Sequence, residues 1–195
     1  MELVQQLSKR LIACRIREYA PHDFTVCQEI YRSNAPDLLT EQGQAEFETF
    51  LEEGTSYQLV AERGPAVVAC GALTLRGEGP YAHLAYGLVR RDQQQQGLGS
   101  TLLAARLSLL DTSEGPIQVD LVSRETSAPF FAQYGFHVHA VRPDPYRPGE
   151  NFGHLLRSVT PEEVEAIRDL LPEHGVMVEI EEMEQPEDMD LLAED

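Results

Sequence analysis

This chain has few cysteines, few basic residues and no long apolar run, and each shortage excludes a class of protein. Cys14, Cys27 and Cys70 are odd in number, widely spaced and set among apolar neighbours, which excludes a disulfide framework or a metal knuckle and leaves reduced core thiols. No stretch approaches eighteen uninterrupted apolar residues, so a membrane-spanning helix is not expected. The opening residues, with Glu2, Lys9 and Arg10, lack the layout of a signal peptide, and the reading is a cytoplasmic protein. Fifteen Lys or Arg stand against thirty-three Asp or Glu, a formal charge of -18. Repulsion at that charge argues against nucleic acid or an anionic membrane as partner and favours cationic small molecules.

What remains is ordinary for a globular chain: 195 residues, 42% hydrophobic and 25% charged, enough for one domain with a shared core. The charge is uneven. Residues 161–195 hold fourteen acids against one Arg, whereas residues 1–160 hold nineteen acids and fourteen bases. We divide the chain into a main domain at 1–160 and an acidic extension at 161–195. Thr160-Pro161-Glu162-Glu163 opens a helix with a capping box, and 176–180 is a candidate strand. The run 181–195 reads as a mobile acidic tail that would need a basic partner to hold it.

Periodicity gives the architecture. Alternation at 12–17, 57–62, 66–76, 81–89, 117–122, 136–141 and 152–159 predicts about seven strands in a mixed, mostly antiparallel α+β sheet. Asp23 and Thr40 are candidate caps for two helices after the first strand, the second closed by Gly54. Gly64-Pro65 suits a hairpin. A broad apolar face from Leu98 to Leu110 predicts a central helix, and a shorter one lies near 128–134.

The informative segment is Leu88-Val89-Arg90-Arg91-Asp92-Gln93-Gln94-Gln95-Gln96-Gly97-Leu98-Gly99-Ser100, a strand leading through a glycine-bearing turn into a helix. The first amides of a helix have no intrahelical partner and sit at the positive end of its dipole, so such a turn can bind phosphate without lysine. Glycines at 97 and 99 are expected to leave room for it, although a tight structural connection has the same letters. Ser100, where a P-loop needs Lys, and the missing third glycine of a dinucleotide turn exclude NTPases, kinases and dehydrogenases.

Gln94, Gly97 and Gly99, between an apolar strand and an apolar helix, resemble the signature of the GNAT superfamily of acyl-CoA-dependent N-acetyltransferases. Phe130-Phe131, three residues before Gly135-Phe136, is similar to a second element of that family. The resemblance covers residues 12–159 and implies a GNAT-like fold and acetyl-CoA as cosubstrate, with no metal. It further implies that Leu88 and Val89 pair their backbone with pantetheine. Gln94, Gln95, Gln96, Gly97, Leu98, Gly99 and Ser100 would then cradle the diphosphate, with Arg124 and Phe131 as further cofactor contacts and Arg90 and Arg91 as outer ones. Gly87 is the expected bulge or splay point, where an inserted arm could separate neighbouring strands.

Acetylating an amine requires a base for the ammonium proton, support for the oxyanion and, optionally, an acid for the sulfur. His83 stands six residues before Val89, where some members place a glutamate base; Tyr86 and Glu78 follow as candidates. The sequence departs from the family at Phe131, in place of a proton-donating Tyr, and at Arg124, in place of an Asn; Tyr134 substitutes only if it turns inward. His137 and His139 read as surface histidines. Two functions stay open: an N-acetyltransferase acting directly on a primary amine of a small molecule or peptide, and a degenerate domain that binds CoA or a basic partner through its tail. The oligomeric state stays open as well, a homodimer included.

Overall fold

A computed structural model describes residues 2–35, 39–75 and 79–180 of the chain. Glu78 and the acidic run 181–195 lie outside the described residues. Eight strands form one sheet in the order β6-β7-β5-β4-β3-β2-β1-β8. In chain order they are β1 (Cys14–Glu18), β2 (Tyr57–Arg63), β3 (Ala66–Leu75), β4 (Tyr81–Val89), β5 (Ile117–Arg124), β6 (His137–Pro143), β7 (Asn151–Val159) and β8 (Val176–Glu179). Neighbours are antiparallel except β4 with β5 and β1 with β8. This is the mixed α+β architecture expected, with 176–179 taking its place as an eighth strand on the edge beside β1.

Helices cover both faces. On one lie α1 (Glu2–Ser8), α4 (Leu98–Ser108) and α6 (Pro161–Glu173), around a core that includes Leu3, Leu7, Leu103, Leu107, Val164 and Ile167. On the other lie α2 (Phe24–Ser33) and α3 (Glu41–Glu53), packed through Cys27, Ile30, Tyr31, Phe47 and Leu51 on Val60, Val67 and Cys70 of the sheet. The short α5 (Ala128–Ala132) precedes β6. All three cysteines are free and buried, and burial pushes the Cys14 thiol up to about 11.

Local signals explain most boundaries. Thr160 accepts from the Glu163 amide at 3.3 Å while Glu163 accepts from the Thr160 amide at 3.2 Å, closing the capping box of α6. Thr40 caps α3, and Gly54 ends it at a φ of 64°. Asp23 does not cap α2. Its carboxylate is drawn instead to Arg17 in two bonds of 2.7 and 2.9 Å and to the Ala20 amide, because a charged fork outcompetes a neutral amide at the helix start. Helix α1, which the periodicity does not predict, is too short to be stable alone. It is held by burying Leu3 and Leu7 and by His174 just past α6, whose Nε2 lies 3.0 Å from the Ser8 carbonyl. Among the described residues no helix is long and apolar enough to cross a membrane.

Candidate active site

The gap between β4 and β5 organises the site. Their pairing runs from Tyr81↔Gln118 through His83↔Asp120 to Leu84↔Leu121 and stops there, although β4 continues to Val89 and β5 to Arg124. The strands diverge where β4 bulges. Ala72↔Ala85 and Cys70↔Leu88 leave Tyr86 and Gly87 opposite Gly71 alone, and Tyr86 takes a left-handed φ of 45°. The splay expected at Gly87 thus coincides with a bulge that begins one residue earlier.

Beyond the bulge, strand alternation decides which backbone groups face the gap. The Arg90 amide donates to Val68, so 90/68 and 88/70 are the hydrogen-bonded pairs with β3, and Leu88 directs its amide and carbonyl to Cys70. Only Val89 of the two residues singled out turns its main chain to the open side. Its carbonyl already accepts from Asn34 at 3.0 Å and from the Gln94 side chain at 3.2 Å, so the Val89 amide is the group left for a ligand. Gln94 Nε2 also donates to Asn34 Oδ1 at 2.6 Å. The Gln94 side chain therefore braces the turn.

The turn itself has the expected amides. None of the backbone N–H groups of Gln95, Gln96, Gly97, Leu98, Gly99 or Ser100 donates to another described residue, whereas Thr101 already bonds the Gly97 carbonyl. Gln95 sits at a φ of 58° and Gly97 at 97°, which swings successive N–H groups into one concavity ahead of α4. The glycines serve the protein more than the cavity. A side chain at Gly97 would strike the Arg10 carbonyl, and one at Gly99 would lie 3.3 Å from the Phe130 ring. The space that a side chain at 97 or 99 would take is filled by the chain before β1 and by α5. Leu98 is buried, and the Ser100 hydroxyl bonds the Tyr134 hydroxyl at 2.6 Å, so both can offer a ligand their amides only. Tyr134 does turn inward, toward the helix start.

On the α2/α3 side, His83 Nδ1 lies 3.1 Å from Asp120 Oδ2, and His154 Nε2 lies 2.8 Å from the same oxygen. An aspartate between two ring nitrogens makes both donors, which places the His83 lone pair on Nε2. Asp120 and His154 were not singled out in the sequence. Asp120 sits in the polar phase of β5, but its meeting with His83 depends on a parallel register that no local pattern displays. Tyr86 packs its ring 4.9 Å from both Phe47 and Phe50. Burial, then the nearby charges of Glu46 and Glu53, raise its phenol above the ordinary value, so it stays protonated. With Tyr19, Gln58 and Leu59 these rings line a small hollow against the bulge. The β6–β7 connection leans across to this side, where Tyr146 donates to Glu46 and Arg147 to the Leu39 carbonyl at 3.1 Å.

The other candidates lie outside this grouping. Arg124 is bound to Asp144 at 2.9 Å and Glu150 at 2.7 Å and stacks over Phe152, so its guanidinium serves the β6–β7 connection. Arg90 pairs with Asp92 at 2.7 Å. Phe131 packs edge-on against Phe130 and Phe136 and has no proton to give. His137 and His139 are exposed. Among the described residues no group of three metal-ligating side chains converges.

Residues 27–149 match the family described as "Acetyltransferase (GNAT) domain". No curated protein matches the sequence. Among solved structures, Ard1 from Thermoplasma volcanium is 25% identical with a TM-score of 0.62, over 76% of this chain and 99% of that one. The ribosomal-protein-S18-alanine N-acetyltransferase from Escherichia coli is 20% identical, TM-score 0.59, over 74% of this chain and 92% of its own. An aminoglycoside 6'-N-acetyltransferase complexed with coenzyme A is 12% identical, TM-score 0.62, over 75% and 97% of the two chains.

Proposed function

Because this chain belongs to the GNAT acetyltransferase family, we propose that it moves an acetyl group directly from acetyl-CoA to a primary amine of a cationic small molecule or peptide. One observation carries the reading: six amides, Gln95 to Ser100, without a partner among the described residues, follow a strand whose pairing with β5 ends at Leu84. Acetyl-CoA is a diphosphate joined to an amide-bearing arm that ends in a thioester, and it needs those two features side by side. The residues present fit it. The amides of Gln95–Ser100 would hold the diphosphate, the Val89 amide the arm, and the bulge at Tyr86–Gly87 would adjoin the acyl end.

His83 then accepts the proton of the attacking ammonium on Nε2. Asp120 fixes its tautomer and steadies the imidazolium that forms. The sulfur leaves as thiolate, for which an ordinary thiol pKa near 8.5 makes the acid missing at Phe131 dispensable. The neighbouring proteins named as acetylating an aminoglycoside or a ribosomal-protein alanine are consistent with an amine acceptor. The carboxylates of Glu46 and Glu53, close to Tyr86, favour a cationic amine through charge. We assign the chemistry to residues 1–160; of the extension, α6 and β8 complete the core and the sheet edge.

The test is release of free CoA from acetyl-CoA across a panel of polyamines, aminoglycosides, amino acids and peptide N-termini, beside mass spectrometry of the purified protein for bound CoA. Turnover on a cationic amine is the expected result. A folded protein that binds CoA and acetylates nothing would instead be a CoA-binding module.

A further inference from the structure

Arg106 is the one arginine among the described residues that is buried, 3% exposed in the last turn of α4. Its Nε donates to the Leu102 carbonyl at 3.3 Å, and its Nη1 donates to the carbonyls of Ala72 at 3.4 Å and Ala85 at 3.3 Å. These bonds are long. No carboxylate pairs with it among the described residues, and burial pushes the guanidinium down to about 10, still charged at neutral pH. A guanidinium taken out of water without a counter-ion is costly, and an apolar side chain of the same length would fill the space at less expense. Packing alone does not account for arginine here.

Its position does. Ala72 and Ala85 form the last regular pair before the β4 bulge, and Ala85 is the first β4 residue past the pairing with β5. Gly71 and Gly87, the residues on either side of the bulge, make the room: an added Cβ would stand 3.3 Å from Nη1 at Gly71 and 2.9 Å from Nη2 at Gly87. Nη2 makes no hydrogen bond among the described residues. The guanidinium therefore lies under the splay with a spare donor at Gly87. From the amides at the head of α4 to Arg106 the helix rises about 12 Å, so one helix presents amides at one end of the gap and a cation toward the other.

The geometry points to Arg106 as a positioning residue of acetyl transfer, which pins the bulge through the Ala85 carbonyl and sets a fixed positive charge beneath the acyl end of the splay. This rests on the acetyl-CoA reading above. When the amine nitrogen bonds to the acetyl carbon, the carbonyl electron pair moves to oxygen; as it returns, the carbon–sulfur bond breaks, its pair leaves on sulfur, and the ammonium proton passes to His83. Negative charge appears on oxygen and then on sulfur, where a preoriented cation is effective.

The experiment compares wild type with Arg106→Met and Arg106→Lys. Free CoA is added to each, and ionisation of the bound thiol is followed by its thiolate ultraviolet absorption against pH, beside kcat, KM and the thermal midpoint. The wild type should ionise CoA about one to three pH units below free CoA. Arg106→Met should lose that shift and about 10²-fold in kcat with little change in KM, and Arg106→Lys should recover some of both. Equal thiol ionisation in Arg106→Met and wild type would overturn the role of Arg106 while the acetyl-CoA reading stands. A wild type that binds no CoA would overturn both.

Discussion

At the scale of single residues, the proposed chemistry rests on His83 and the carboxylate beside it. Replacing His83 with Ala should lower kcat by about 10²- to 10⁴-fold, the usual worth of a positioned base. Asp120→Asn should cost at least about tenfold by disturbing the tautomer, with KM for acetyl-CoA unchanged in both variants. Steady-state kinetics on any accepted amine checks this, and equal kcat for His83→Ala and wild type removes it from the mechanism. His83 is legible in the sequence because its distance from Val89 is fixed along one strand. Asp120 and His154 are not, since they come to it from β5 and β7, and cross-strand neighbours depend on a register set by the whole sheet. Leu88 fails for a related reason: the direction of a main-chain amide alternates along a strand, and the phase follows from pairing with β3, as the Arg90–Val68 bond shows.

At the scale of elements, turns and caps written in consecutive residues are legible, and those that depend on a distant partner are not. The capping box of α6, the Gly64-Pro65 hairpin and the Gln94–Ser100 turn are examples of the first kind. Helix α1 and the fate of Asp23 are of the second, for each is decided by a contact with a remote segment of the chain. Gly97 shows both at once. Its left-handed φ could be guessed from a turn, but its approach to Arg10 could not. Gly97→Ala should destabilise the fold by about 1–3 kcal/mol, from the backbone conformation alone. Chemical denaturation measures it, and CoA affinity should fall as the turn shifts.

Asp23 carries an acid-dependent share of the stability. Burial alone would raise its carboxyl, but the Arg17 fork and the Ala20 amide outweigh that and hold it below its ordinary 3.8. A depressed carboxyl stabilises above its unfolded value and loses that contribution as the pH falls through the folded one. Wild type should thus melt above Asp23→Asn at neutral pH, and the difference should shrink as the medium is taken below about pH 4. Melting temperatures at several pH values decide it; a constant gap would show that the Asp23 charge contributes nothing.

At the scale of the whole molecule, the charge of -18 should act on encounter with the acceptor. KM for a cationic amine should rise with added salt while KM for acetyl-CoA does not, because screening weakens long-range attraction and spares contacts between close neighbours. A chain ending at residue 180, which removes eight acids and no base, should show a smaller salt dependence. The overall fold class and the strand–turn–helix at its centre were readable because hydrophobic period and turn chemistry are local. The proposed acceptor side was not, since α3, the bulge and the β6–β7 connection meet there only in three dimensions.

The edge of the sheet has a temporal consequence. Strand β1 lies between β2 and β8, and α1 is covered by α6, so these earlier segments are completed only by residues 161–179. During synthesis on the ribosome the family's central motif emerges well before the pieces that shield the N-terminal helix and the flank of β1. A nascent chain of this protein must therefore wait, incompletely closed, until residues 161–179 have been translated.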